Sequence, residues 1–104
     1  MGKNSVIKTI STLIAGMTAH KILLEHANKP ESLNHLESEI GNYKGNISDE
    51  ITEYNWNEQD KEKIKTEAKK ILQKKLKEQH FQGIVFSAQE SSNILDETIG
   101  EFFS

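Results

Sequence analysis

The chain has 104 residues, which is enough for one domain and too short for two ordinary ones. It has no cysteine, which excludes disulfides, thiolate metal sites and cysteine nucleophiles, and all 13 basic residues are lysines. The net charge of −3 argues against a general nucleic-acid binder. We therefore predict a single small domain spanning residues 1–104.

The first segment, residues 4–27, carries apolar residues at helical spacing. The positions of its stripe are Val6, Ile10, Leu13, Met17, His20 and Leu24. Intervals of four and three residues place them on one helix face, close to the seam of a coiled coil. Small residues beside the stripe, among them Ala15 and Gly16, permit close approach of another helix. We predict a homodimer or larger assembly formed through this stripe. The alternative is that the helices satisfy one another within one chain.

The second segment begins at Pro30, which suits the first turn of a helix. Its apolar stripe consists of Leu33, Leu36, Ile40 and Tyr43. Gly45 tolerates the left-handed backbone that ends many helices, so we predict a helix over 30–44 and a separate short helical turn near 48–54. The alternative is one long helix with Gly41 and Gly45 inside it, at a cost of about 0.5–1 kcal/mol for each glycine.

Two further helices are predicted over residues 57–80 and 87–103. Asn57 is an N-cap residue followed by acids, and the other end of that helix is rich in lysine, which matches the helix dipole. Ser87 is followed three residues later by a glutamate, the spacing of a capping box. We predict that residues 84–86 form an extended connector packed on the core. The fold prediction is an all-α bundle of four main helices plus a short fifth turn.

The helix over 57–80 carries four lysines on one side. These are Lys63, Lys70, Lys74 and Lys77. They fall within about 60° of one another on a helical wheel, opposite the apolar stripe. The interpretation we favour is a solvated surface, and the alternatives are a contact for an acidic protein and a track for a phosphate backbone. The lack of arginine and of interleaved aromatic residues disfavours nucleic acid.

Acidic residues of the last helix repeat the spacing of these lysines. Glu90, Glu97 and Glu101 are separated by seven and then four residues, as are Lys63 and the next two lysines of the set. The two helices would then pair, within one chain or between two. The interpretation we favour is that the match is a coincidence between two exposed faces, where single ion pairs contribute under about 1 kcal/mol.

Two other groups of residues are candidate sites. Trp56 lies between helices and is predicted to be a lid on the core, with an interface anchor as the alternative. Glu31, His35 and Glu39 are spaced four residues apart and stack on one helix face. They are the candidate metal ligands of this chain, but their spacing is not that of carboxylate-bridged bundles, so we predict a solvent-facing trio without metal.

No motif for catalysis or for a cofactor is present, and we infer no small-molecule ligand. The uncharged run between Lys8 and His20 has 11 residues, whereas a membrane span needs about 20, so we expect a cytoplasmic protein. We predict a non-enzymatic protein-interaction or assembly module that binds itself or another protein. The alternatives are a nucleic-acid accessory protein using the lysines and, third, a metal-binding or catalytic bundle. The expected interface residues are Lys63, Lys70, Lys74, Lys77, Trp56, Val6, Ile10, Leu13 and Met17.

Overall fold

Four helices make up most of the computed structural model, which describes residues 3–26, 30–78 and 86–103. They are α1 (Lys3–Glu25), α2 (Pro30–Thr52), α3 (Glu58–Lys75) and α4 (Ala88–Phe103). The all-α prediction with four main helices is confirmed. The predicted connector at 84–86 lies outside the described residues except for Phe86. Within the described ranges, none of the helices combines the length and the apolar character needed to cross a bilayer.

Helix α1 is the centre of the fold, because it packs against each of the other three helices. Residues 14–19 of α1 are all buried, and six consecutive residues of a helix face every direction around its axis. Two buried hydroxyls are satisfied locally: Ser11 donates to the Ile7 carbonyl at 2.7 Å and Thr18 to the Ile14 carbonyl at 2.8 Å. The single stripe predicted from the sequence was therefore too narrow for this helix.

The four helices alternate in direction around this centre. Lys3, at the start of α1, pairs with Asp60 at the start of α3, so these two helices run parallel. His26, just after α1, lies against Glu90 in the first turn of α4, so α4 runs antiparallel to α1. Consecutive helices are thus antiparallel, in a body measuring 40 × 24 × 23 Å.

The predicted break at Gly45 is wrong, because α2 continues through it to Thr52. Residues 48–52 form the end of α2 rather than a separate fifth turn. The reason is burial: Ile47 is fully buried against the core, and Ile51 packs beside it. Burying an isoleucine contributes about 1.5–3 kcal/mol, which exceeds the helix cost of a glycine.

Both glycines inside α2 lie on its exposed side, and this leads to a stability prediction. No atom lies within 4 Å of a Cβ built on Gly41 or on Gly45. We therefore expect Gly41→Ala and Gly45→Ala each to raise the free energy of unfolding by about 0.5–1 kcal/mol, through helix propensity and a less flexible unfolded chain. Urea denaturation followed by circular dichroism measures this. A loss of stability in either variant would contradict a continuous α2.

The start of α3 is held by a network that also fixes the start of α1. Asn57 accepts a hydrogen bond from the Asp60 backbone N–H at 2.8 Å, and Asp60 accepts one from the Asn57 N–H at 3.3 Å. The ammonium of Lys3 lies 2.6 Å from the Asp60 carboxylate and donates to the Asn55 carbonyl at 2.6 Å. It also lies 5.2 Å from the Trp56 ring centre. The predicted Asn57 cap is confirmed, and the network joins α1 to the α2–α3 connection.

This network predicts a pH dependence of stability. The hydrogen bond from Lys3 lowers the pKa of Asp60, burial of the carboxyl opposes this, and the Asn57 N–H lowers the pKa further. A lowered folded-state pKa means that the contribution of Asp60 is present above its unfolded value of about 3.9 and is lost as the pH falls through the folded value.

The measurement compares wild type with Asp60→Asn, which keeps the shape of the side chain but not its charge. We expect the difference between their urea midpoints to be largest near pH 6 and to shrink below pH 4. A difference that does not vary between pH 6 and pH 3 would show that the charge of Asp60 does not stabilise the fold.

Candidate protein-binding surface

The lysine face of α3 consists of Lys63, Lys70, Lys74 and Lys77. All four side chains are exposed, but only Lys63, Lys70 and Lys74 lie on α3. The prediction that this helix extends to residue 80 is wrong, because α3 ends at Lys75 and Lys77 lies in a turn in which its N–H donates to the Lys74 carbonyl. The opposite side of α3 is buried in the core, through Ile64, Ala68 and Leu72. The division between the two sides follows from the helical spacing of the apolar residues, since α3 must bury one stripe and leave the other in water.

Most of the lysine face has no counter-charge. Lys70 lies 3.9 Å from Glu67 on the same helix, and both side chains are exposed, so this pair contributes little. Among the described residues, Lys63, Lys74 and Lys77 have no ion-pair partner. The neighbouring exposed Lys69 also has no ion-pair partner among the described residues. The C-terminal end of the face, Lys74 and Lys77, therefore carries positive charge that no ion pair with a described residue neutralises. Lys63, at its other end, lies close enough to Asp60 to lower the pKa of that carboxyl.

Two acids of α4 that matched the lysine spacing are turned towards α1 instead. Glu90 lies 3.1 Å from His26, and Glu101 lies 2.9 Å from Lys21. Within the described residues, these two acids form no ion pair with the lysine face, as expected if the matching spacing is a coincidence. Pairing between two chains stays the alternative.

A groove of about 590 Å³ lies between α3 and α4, next to the lysine face. It exists because α3 and α4 pack more extensively on α1 than on each other, although Lys65 and Asp96 connect them at 3.4 Å. Its apolar lining consists of Leu72, Leu76, Phe86 and Leu95. Lys69 and Lys77 line its α3 side. The groove thus combines apolar surface with positive charge.

Comparison with known proteins adds no relative to this geometry. No protein-family model, curated protein or solved structure matches the chain.

The N-terminal stripe is used inside the chain. Val6, Ile10 and Met17 are 9%, 0% and 1% exposed, and Leu13 is partly buried against the same core. A homodimer stays a prediction. An interface made of these buried side chains would first require α1 to lose its contacts with the other helices.

Trp56 closes one end of the core. Its indole N–H donates to the Ile51 carbonyl at 3.0 Å, and its ring lies 5.9 Å from that of Tyr54 and 6.0 Å from that of Phe103. These contacts fit the interpretation of Trp56 as a lid. Because the ring is only partly buried, its outer edge still faces water.

Of the predicted trio of Glu31, His35 and Glu39, the side chain of Glu31 lies outside the described residues. His35 is exposed and Glu39 is partly buried. Burial, and then the nearby Glu39 carboxylate, raise the pKa of Tyr43 above its ordinary value. In the described part of the chain, no three His, Asp or Glu side chains come together in a way that would hold a metal ion.

The groove and the place of Lys69 in it were not predicted from the sequence, whereas Lys77 is among the predicted interface residues. Lys69 flanks the apolar stripe of α3 rather than lying opposite it. Its position three residues before Leu72 was a usable signal, since residues three and four apart share a helix face. The contribution of Phe86 and Leu95 depends on how far α4 lies from α3, which no local pattern reports.

Proposed function

We propose that this protein is a cytoplasmic protein-binding module, rather than an enzyme, and that it binds an acidic partner protein through the lysine face of α3. The observation that carries the proposal is the exposed lysines without an ion-pair partner among the described residues. Acids outnumber lysines by 16 to 13 in the chain, so counter-charges were available. Two acids of the neighbouring α4 contact α1 instead. An uncompensated positive face attracts acidic surfaces over distances of about a Debye length.

The chemistry of the surface favours a protein over a nucleic acid. Lysine ammonium groups act as point charges, whereas an arginine donates two parallel hydrogen bonds to a phosphate, and the chain has no arginine. Residues 58–78 contain no aromatic side chain on which bases stack. The adjacent groove offers apolar area, which a protein partner buries and a phosphate backbone does not. The nucleic-acid alternative is accordingly treated as an outcome of the test.

The test compares two variants with the same change in net charge. Lys74→Gln with Lys77→Gln removes charge from the lysine face, whereas Lys8→Gln with Lys44→Gln removes it from exposed positions on α1 and α2. We expect binding to polyglutamate at low salt to weaken about tenfold in the first variant, from about 0.7 kcal/mol for each lost contact. We expect it to change little in the second. Fluorescence anisotropy of labelled polyglutamate measures both.

The same titrations with a single-stranded RNA and a DNA duplex decide between the two partner classes. Tighter binding of either nucleic acid than of polyglutamate at equal salt would overturn the choice of a protein partner. An equal loss in the two lysine variants would show that net charge, rather than this face, governs binding.

A further inference from the structure

We infer that the groove between α3 and α4 binds an amphipathic helix of the partner, with apolar side chains on its floor and acidic side chains against Lys69 and Lys77. This inference rests on the proposed function and names the segment of the partner that is recognised. It depends on the lining of the groove, on the spacing of the two lysines and on the direction of the groove between two helices.

The groove is selective for negative charge. None of the described residues that line it carries a carboxylate, whereas Lys69 and Lys77 are both among them. A second groove of about 500 Å³, between α1 and the first half of α3, is lined by two lysines and by Glu62 and Glu67. Its charges compensate one another. The α3–α4 groove is therefore the one whose charge and apolar surface select the same kind of partner.

The spacing of the lysines favours a helix over a small anionic molecule. Lys69 lies on α3, and Lys77 lies in the turn that follows the helix, eight residues further along the chain. Lys75, the last residue of α3, is already about 9 Å from Lys69 along the helix axis, so the two lysines mark points well apart along the groove. Acidic residues seven or eight positions apart on a partner helix are separated by about 10.5–12 Å, so each would face one lysine.

The groove also has the form that a helix requires. Its two sides are helices, and its floor is apolar: Leu72 and Leu95 are 3% and 2% exposed, and Leu76 and Phe86 are partly buried. A third helix lying between α3 and α4 would cover these side chains with its own apolar stripe, at residues i, i+3, i+4 and i+7. Neutral polar residues of α4, among them Gln89 and Ser92, form the other side.

The test uses the full-length protein and three labelled synthetic peptides of equal length. The first is an amphipathic helix with leucine on one face and glutamates seven residues apart beside it. The second has the same composition scrambled so that no apolar face forms, and the third replaces each glutamate of the first by lysine. We expect the first peptide to bind at least tenfold more tightly than either of the others. Methyl NMR should show shifts at Leu72, Leu76 and Leu95.

Two pairs of variants locate the contact. Lys69→Glu with Lys77→Glu should weaken the first peptide at least tenfold, whereas Lys8→Glu with Lys44→Glu, with the same change in net charge, should not. Ala88→Trp fills the groove from an exposed position and should remove the preference for the first peptide over the scrambled one. Asn93→Trp, at another exposed position of α4 that does not line the groove, should keep it.

The outcomes separate this inference from the proposed function. Equal binding of the first two peptides, with both weakened by loss of the lysines, would overturn the groove site and leave the lysine face intact. If neither polyglutamate nor any of the acidic peptides binds, both the groove site and the proposed binding of an acidic partner are overturned. If the free protein is a dimer and the first peptide converts it to monomers, the groove holds a second copy of this chain. That result would overturn the inference that a different protein occupies the groove.

Discussion

Replacing Ile14 by alanine is expected to lower the free energy of unfolding by about 2–5 kcal/mol, the range for truncating a buried isoleucine. Ile14 is 0% exposed and lies midway along α1, the helix that contacts all three others. A cavity there cannot be closed by shifting one neighbour without disturbing the packing of the rest. Urea or thermal unfolding followed by circular dichroism measures the loss.

Leu13→Ala is the matched control for this prediction. Leu13 is the next residue along α1 and belongs to the stripe predicted from the sequence, yet it is only partly buried. We expect its truncation to cost less than half as much as that of Ile14. Equal losses at the two positions would contradict the deeper burial of Ile14 that the structure shows.

Gly16→Ala is expected to destabilise the fold by about 1–3 kcal/mol, although alanine is the better helix former. A Cβ at position 16 would lie 2.7 Å from Cε1 of the Tyr43 ring and 2.8 Å from its hydroxyl oxygen. The Tyr43 ring also lies 5.1 Å from that of His20, whose Nδ1–H donates to the Gly16 carbonyl at 2.8 Å. Moving the tyrosine away therefore breaks the close packing of α1 on α2.

A double-mutant cycle isolates this cause. In a Tyr43→Ala background the ring that would clash with a Cβ at position 16 is absent. Gly16→Ala should then raise the free energy of unfolding by about 0.5–1 kcal/mol, the effect expected of Gly41→Ala in wild type. The sign of one substitution is thus expected to depend on one side chain of another helix. If Gly16→Ala destabilises the protein equally in both backgrounds, the loss of stability arises within α1 and not from a clash with Tyr43.

The helices were predictable because each must bury a stripe, and a stripe appears in the sequence as intervals of three and four residues. The break at Gly45 was mispredicted because the turn preference of a glycine is local, whereas the burial of Ile47 depends on α1. The difference between local sequence preference and burial by other helices also explains why the burial of α1 was underestimated. Its stripe predicted a helix, but residues 14–19 are buried on all sides only because three helices surround them.

The candidate site was predictable in part for a related reason. Lys63, Lys70 and Lys74 of the lysine face occupy one side of α3 by helical geometry alone, so their exposure followed from the sequence. The lack of ion pairs between these lysines and α4 could not be predicted from the sequence, because Glu90 and Glu101 have the matching spacing. In the structure these two acids contact His26 and Lys21 instead. Which charges meet depends on which helices are neighbours, and that is a property of the packed structure.

The placement of α2 and α3 around α1 gives the molecule an electric dipole moment. Helix α2 contains five acidic residues and one lysine and α4 contains four acidic residues and no lysine, whereas α3 contains seven lysines and four acids. Gly16, which meets α2, and Ser11, which meets α3, are about 140° apart around the α1 axis, so the negative α2 and the positive α3 lie on different sides of α1. In the field of an acidic partner the protein would rotate before contact, with α3 leading. Salt should then slow association more than it speeds dissociation, because dissociation depends on the buried contacts of the groove.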